Sequence, residues 1–228
     1  MGKIFKYSGA LTIIGITAIV FIIQLILGNG FTEAFLLNSA EVWSRPWILI
    51  TSMFLHADPS HFLFNMYALF LFGPLIESRI GTKRFYLIYF LSGLLAATAS
   101  IFFYDKALGA SGAIMGILGV TIMLMPDLRV FFLFFIPMSL RTAGIIFALI
   151  DIFGIFVPSN VANIAHLGGL SAGLIYGYYL LKKRKIFQAK FQEPQSTTPA
   201  TKFKSRKNNK SIELSEDEIQ EYIKNGKL

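Results

Sequence analysis

The chain of 228 residues contains no cysteine and only three histidines, and just 15% of its residues are charged. Without cysteine, disulfide bonds and thiolate metal sites are excluded, and the redox compartment stays open. A sequence with so little charge and 54% hydrophobic residues is too apolar for an ordinary soluble domain, and it indicates a polytopic membrane protein. The few acidic residues leave a net charge of +8. Because 12 of the 21 basic residues lie after Leu181, this charge fits a membrane-flanking tail, and we expect no nucleic-acid partner.

Long apolar runs dominate the first 181 residues. The first run, residues 10–27, follows two lysines and so resembles a signal peptide, but no small-residue cleavage site follows it and we read it as a retained helix. Residues 130–140 are too few to cross a bilayer, so we expect them at the interface or as a short lead-in. Hydropathy predicts six spans in an all-α bundle over residues 1–182: 10–27, 60–76, 85–104, 107–125, 142–157 and 160–181.

The basic residues are distributed unevenly about these spans. One set of loops holds most of them: Lys3, Lys6, the turn 79–84, Arg129, Arg141 and the cluster 182–185. The opposite loops hold Arg45 and Lys106, each with an acidic residue nearby. Because basic loops stay inside, we expect both termini in the cytoplasm and the chain in a prokaryotic cell membrane.

Residues 183–228 form a basic tail rich in Lys, Gln, Ser, Thr and Asn. That composition predicts a mostly disordered cytoplasmic segment. The sequence Ser215-Glu216-Asp217-Glu218 is typical of a capping box, so one short helix is expected to follow it.

Ser111 stands between glycines at the start of the fourth span, in the sequence Gly109-Ala110-Ser111-Gly112. A packing face of small residues, formed by Gly112, Gly116 and Gly119, explains these glycines without any chemistry, with the serine bonded to a backbone carbonyl. The polar residues of the other spans favour a second interpretation, in which Ser111 is chemically active.

Spans two, four and six all enter the membrane from the outer side, and each carries polar residues near its beginning: His61 and Asn65, then Ser111, then His166. At a rise of roughly 1.5 Å per residue, Ser111 lies about 5 Å inside its helix and His166 about 9 Å inside its own. We therefore predict that the hydroxyl and the imidazole lie at similar depth.

Glycines on both helices favour the close packing that such a pair requires. Gly169 and Gly173 repeat at four-residue spacing on span six, and Gly112 and Gly116 do the same on span four. Small residues let membrane helices approach closely. A hydroxyl must lie within about 3 Å of an imidazole for the imidazole to take its proton.

Other roles for the ionisable residues stay open. His166 alone would be satisfied by a backbone carbonyl, and the three histidines together would suggest a metal site: His56, His61 and His166. No HExxH pairing or suitable carboxylate accompanies them, so we predict neither a metal nor a cofactor. Asp151 lies within span five, where an ionisable group by default suggests function. It either orients His166 or satisfies a neighbouring helix.

These residues resemble the motifs of one family, the rhomboid intramembrane serine proteases, over roughly residues 10–181. The stretch around Ser111 is similar to the GxSG nucleophile motif, and Ala165-His166 with Gly169 and Gly173 is similar to AHxxGxxxG. Further likenesses are His61 with Asn65 (HxxxN), Glu77 with Gly81 (ExxxG) and Trp43 with Arg45, a spaced form of the WR pair. Apart from the spaced WR pair, the other four motifs occur in the family's order on or beside the expected helices, which makes the resemblance specific.

The resemblance implies a six-helix rhomboid bundle and a Ser–His dyad without an acid. Ser111 would be the nucleophile and His166 the general base, with the side chains of His61 and Asn65 and the N–H of Ser111 stabilising the oxyanion. The implied reaction is intramembrane serine endopeptidase cleavage, near the outer face of the lipid bilayer, of transmembrane segments of other proteins. Met115 is a departure, since the family often has an aromatic there that stacks on the histidine, and we expect a looser ring.

Two other functions are alternatives. A non-catalytic rhomboid-like protein that binds membrane clients would be favoured by loss of the serine or the histidine, and both are present. A small transporter would show inverted repeats, and none is evident. Span five carries bulky Phe147, Phe153 and Phe156, so we expect it to be held weakly and, with residues 158–162, to form a lateral gate for substrate.

Overall fold

The computed structural model describes residues 8–132, 136–157 and 161–191, and in this part the chain is mostly helical. The predicted tail helix after Ser215 and most of the predicted tail lie outside the described residues. The elements in chain order are α1 (Gly9–Leu27), α2 (Asn29–Phe35), β1 (Leu37–Asn38), α3 (Ile48–Thr51), α4 (Pro59–Ile80), α5 (Thr82–Ile101), β2 (Lys106–Ala107), α6 (Ser111–Leu124), β3 (Arg129–Phe132), β4 (Ile136–Ser139), α7 (Leu140–Gly154) and α8 (Asn163–Phe191).

Four of these helices are long and apolar enough to cross a membrane: α1, α4, α5 and, up to Lys183, α8. The other two predicted spans are shorter, with 14 residues in α6 and 15 in α7. The described residues therefore contain four helices of spanning length, one shorter apolar helix (α6) and the 15-residue α7, where hydropathy predicted six spans. Large exposed apolar side chains on α1, α4, α5, α7 and α8 provide the surface that meets lipid.

Local residues set the ends of the helices. Asp58 caps α4 by accepting a hydrogen bond from the backbone N–H of His61, and Pro59 occupies the first helical position. Gly81, at φ +82°, ends α4 and precedes α5, a conformation that glycine adopts without strain. α8 extends to Phe191, past the end that was predicted at Leu181.

The chain is mostly helical, as predicted, but two small antiparallel sheets that were not predicted lie between the helices. β3 pairs with β4 in the register Val130↔Met138, within the segment predicted to lie at the interface. The β-branched and aromatic residues of this segment favour extended backbone, which explains the difference. β1 pairs with β2, which joins the chain after α2 to the chain before α6.

α6 is the central helix of this part of the chain. Every residue from Gly112 to Ile122 is buried, 11 of its 14 residues. Its side chains form a cluster in which Met115, Leu118 and Ile122 pack with Leu140 of α7 and Leu170 of α8. A helix enclosed in this way holds its first residue, Ser111, at a fixed position among its neighbours.

Candidate active site

Backbone meets backbone between α6 and α8. A Cβ added to Gly169 would overlap the carbonyl oxygen of Gly112, and one added to Gly173 would overlap that of Gly116. On α6, a Cβ at Gly119 would lie 2.6 Å from the carbonyl oxygen of Leu170. Side chains larger than hydrogen at these positions would separate the two helices, so the glycines set how closely α6 and α8 approach.

This approach brings Ser111 and His166 together. The Oγ of Ser111 lies 2.7 Å from Nε2 of His166, although the two residues are 55 positions apart in the chain. The His166 side chain is only 19% exposed. A hydroxyl at this distance can pass its proton to an unprotonated imidazole nitrogen.

Asp151 contacts the other nitrogen of the same ring. Its Oδ1 lies 2.9 Å from Nδ1 of His166, and its side chain is 7% exposed. The sequence left open whether this aspartate orients His166 or satisfies another helix, and the structure places it against His166. An ionised carboxylate only accepts hydrogen bonds, so Nδ1 carries the proton and Nε2 is left as the acceptor that faces Ser111.

His61 lies beside the loop that leads into α6. A Cβ on Gly109 would lie 3.0 Å from Nε2 of the His61 ring, and Gly109 adopts φ +119°. Nδ1 of His61 accepts a hydrogen bond from the backbone N–H of Ala57 at 3.4 Å. In the neutral ring Nε2 then carries the proton, and this donor is directed toward the loop that contains Ser111.

Asn65 is buried one turn further along α4, and its side chain donates to the backbone carbonyl of His61 at 2.8 Å. Among the described residues it makes no hydrogen bond to Ser111 or His166. The structure thus brings together Ser111, His166, Asp151 and His61, and it turns Asn65 toward its own helix.

His56 adjoins the site, and sequence reasoning gave it no role beyond a share in a possible metal site. Its ring is fully buried 5.0 Å from the ring of His61, with Phe21 and Phe62 at its other edges. Burial, and secondarily the charge of His61, lowers the pKa of His56 to about 4. A neutral, fixed imidazole at neutral pH supports the position of His61 without adding charge. In the sequence, only the short spacing between His56 and His61 could have indicated that His56 lies beside the site.

The remaining motif residues lie away from the hydroxyl–imidazole pair. Glu77 accepts hydrogen bonds from the Ser8 hydroxyl and from the N–H groups that begin α1. Arg45 pairs with Glu41 and bonds the carbonyl of Ala34. Met115 is buried among aliphatic side chains of α6, α7 and α8. Within the described ranges no three His, Asp or Glu residues cluster as metal ligands would.

The structure thus combines a partly buried serine–histidine contact at the start of a helix with helices long enough to cross a membrane. A family model described as Rhomboid domain matches residues 39–183, more than half of the chain. The chain belongs to the rhomboid family.

Several relatives with known names share this region. The rhomboid protease GluP of Bacillus subtilis (strain 168) is 37% identical over 141 residues, which are 60% of this chain and 26% of that protein. RHOMBOID-like protein 6, mitochondrial, of Arabidopsis thaliana is 33% identical over 140 residues, 60% of this chain and 45% of that protein. Rhomboid protein 1, mitochondrial, of Saccharomyces cerevisiae is 28% identical over 162 residues, 67% of this chain and 47% of that protein.

The aligned part of the chain thus spans between about a quarter and a half of the length of these relatives. They come from a bacterium, a plant and yeast. Membership of the family therefore places the chain in a membrane. Because the relatives include plant and yeast proteins, it does not support the prediction of a prokaryotic cell membrane.

Proposed function

We propose that the chain is an intramembrane serine endopeptidase that cuts transmembrane segments of other membrane proteins. The observation that carries the proposal is the 2.7 Å contact between Ser111 Oγ and His166 Nε2. It rests on helices that the glycines of α6 and α8 hold in backbone contact. The protease names of several relatives in the family support the same reaction.

In the first step, Ser111 Oγ bonds to the carbonyl carbon of the scissile peptide while its proton moves to Nε2 of His166. The carbonyl oxygen becomes an oxyanion. The imidazolium then gives the proton to the departing amine as the C–N bond breaks, which leaves an acyl-enzyme. Water then gives a proton to the same ring as its oxygen bonds to the acyl carbon, and the imidazolium returns that proton to Ser111 Oγ as the ester C–O bond breaks and the acid is released.

Donors for the oxyanion lie at the start of α6. Ser111 is the first residue of the helix, and the first N–H groups of a helix lack intrahelical partners and lie at its positive end. Nε2–H of His61 faces the same loop, and we propose that Asn65 joins these donors once its side chain turns toward the substrate. Each such donor is worth on the order of 3 kcal/mol in hydrolases.

The length of α6 supports a reaction below the membrane surface. Its 14 residues rise about 21 Å, whereas the hydrocarbon core is about 30 Å thick. We propose that α6 and α7 complete a six-helix bundle of residues 1–182 with both termini in the cytoplasm. Ser111 then lies several ångströms inside the outer face of the bilayer, where a transmembrane substrate presents its end.

The test uses the purified full chain in detergent with a transmembrane substrate whose helix unwinds easily. We expect cleavage by the wild type, and losses of roughly 10³-fold or more in Ser111→Ala and in His166→Ala. A fluorophosphonate should label Ser111 in the wild type and much less in His166→Ala. Wild-type protein that binds the substrate without cutting it would favour the client-binding alternative, and near-normal cleavage by either variant would overturn the proposal.

A further inference from the structure

The C-terminal half of α7 turns an acid inward and its hydrophobic residues outward. Of the residues after Gly144 on this helix, Asp151 alone is buried, at 5% exposure. Ile150, Ile152 and Phe153 on either side of it are between 43% and 68% exposed. In a membrane helix this is the costly orientation for a carboxylate unless a partner compensates it.

His166 is that partner. Among the described residues, the hydrogen bond of the Asp151 carboxylate goes to Nδ1 of His166, at 2.9 Å. Nε2 of the same ring contacts Ser111 Oγ at 2.7 Å. The three side chains therefore form a continuous line from carboxylate to imidazole to hydroxyl, drawn from three different helices.

We propose that Asp151 is a positioning residue for the reaction, an inference that rests on the proposed function. Its carboxylate holds the proton of His166 on Nδ1, so that the lone pair of Nε2 faces the Ser111 hydroxyl. It also stabilises the imidazolium that forms when Ser111 gives up its proton. The aspartate takes no proton itself, as in serine hydrolases that use a third acidic member.

This arrangement differs from the acid-free dyad that the motifs imply. It also bears on Met115, which stands where the family often has an aromatic residue. The His166 ring is bonded at both nitrogens, so it is oriented without an aromatic partner to stack on it. A purely structural role, in which Asp151 only ties α7 to α8, predicts different behaviour, because then only stability would depend on the carboxylate.

Kinetics separate the two roles. Asp151→Asn keeps the size of the side chain but no longer requires the proton on Nδ1. We expect kcat to fall by roughly 100-fold or more, with KM within about 3-fold and the melting temperature in detergent nearly unchanged. Asp151→Glu restores a carboxylate and should recover at least about 10-fold over Asp151→Asn. Gly144→Ala, on the same helix but away from His166, is the matched control and should keep near wild-type kcat.

A second measurement does not depend on activity. Because the chain has only three histidines, ¹⁵N NMR of histidine-labelled protein can resolve each ring, with His166→Ala identifying the signal of His166. We expect the Nδ1–H tautomer in the wild type and its loss in Asp151→Asn. If Asp151→Asn does not fold, an Nε2–H tautomer in the wild-type spectrum still overturns the role of Asp151, and the kcat and stability of Asp151→Glu separate positioning from a structural tie.

The outcomes distinguish this inference from the proposed function. Wild-type protein that cleaves and is labelled at Ser111, with Asp151→Asn retaining more than a third of kcat or with His166 as the Nε2–H tautomer, overturns the role of Asp151 alone. A loss of activity in Asp151→Asn that matches a loss of stability, without rescue by Asp151→Glu, does the same. Wild-type protein that neither cleaves nor reacts at Ser111 overturns both.

Discussion

Two of the helices that contact α8, α6 and α7, meet it in different ways. α6 contacts α8 backbone to backbone through glycines on both helices. α7 meets α8 through side chains, by the contact of Asp151 with His166 and by Asn163 against Gly154. Eleven residues of α6 are buried but only four of α7: Leu140, Ala143, Gly144 and Asp151. The serine and histidine thus lie on a tightly fixed pair of helices, and the aspartate lies on one with fewer constraints.

The phenylalanines of the fifth span do not lie where the sequence predicts. Bulky phenylalanines were expected to keep α7 away from its neighbours, yet Phe147, Phe153 and Phe156 are 38%, 68% and 80% exposed and point away from the buried residues. The inward side of α7 carries small residues near its start, where Ala143 and Gly144 are buried. α7 is held at its first turns and by Asp151, and a lateral gate at its far end stays a prediction.

Among substitutions that test this difference between α6 and α7, we expect the largest effect on stability and activity from one methyl group added to α8. Gly169→Ala places a Cβ against the Gly112 carbonyl oxygen, which cannot move without moving α6. We expect a loss of at least about 3 kcal/mol of stability. Displacement of the serine from the histidine by about 1 Å should also cost roughly 10²-fold in activity. Unfolding in mixed detergent micelles and fluorophosphonate labelling of Ser111 measure the two effects.

The adjacent glycine provides the control. A Cβ on Gly168 would lie 3.7 Å from the Cβ of Ala99, an ordinary van der Waals contact. Gly168→Ala should therefore be neutral or stabilising by up to about 1 kcal/mol, because alanine favours helix over glycine. Equal behaviour of the two alanine variants would show that backbone contact does not hold α6 and α8 together.

The same substitution on α7 should be milder. A Cβ on Gly144 would overlap Cδ1 of Ile122, the end of a flexible side chain that can rotate away. A strained rotamer costs about 1 kcal/mol, and the helix propensity of alanine offsets much of it. We expect Gly144→Ala to change stability by less than about 1 kcal/mol, and cleavage by less than about 3-fold. A loss as large as that of Gly169→Ala would mean that α7 is packed as rigidly as α6.

The smallest effect is expected on the outward side of α7. Phe153→Ala removes a ring that is 68% exposed, so stability should change by no more than about 0.5 kcal/mol. If the far end of α7 is the gate, cleavage of a membrane-embedded substrate should rise a few-fold, and cleavage of a soluble unfolded substrate should not. Phe70→Ala, on the lipid-facing side of α4, is the control and should change neither rate. Equal changes for both substrates would contradict the gate.

The hydroxyl–imidazole pair was predictable from the sequence because its signals are independent of one another. Helix starts, polar residues at similar depth and glycine spacing each follow from simple rules, and they agree on Ser111 and His166. The sequence predicts that Asn65 lies on the same face of α4 as His61, but it does not predict the rotamer of Asn65, which depends on the nearby His61 carbonyl.

The partner of Asp151 was less predictable. In a membrane helix both the lipid-facing and the buried side are apolar, so hydrophobicity does not reveal which side of α7 faces α8. The small residues Ala143, Gly144 and Ala148, together with Asp151 three positions after Ala148, mark the buried side of α7, which packs against both α6 and α8. β1 and β2 have only two residues each, too few for any periodic pattern to predict their pairing.

The carboxylate of Glu77 has a consequence for how far the chain can be shortened. It accepts hydrogen bonds from the Ser8 hydroxyl, the Gly9 and Ala10 N–H groups and the Thr82 hydroxyl, at 2.7–3.2 Å. The match to the Rhomboid domain begins only at residue 39, which by itself suggests that a shortened protein could begin there. A protein begun at residue 39 would leave a buried acid without three of its four donors, at a cost of several kcal/mol. The smallest autonomous version of this protein therefore has to begin no later than Ser8, 31 residues ahead of the match.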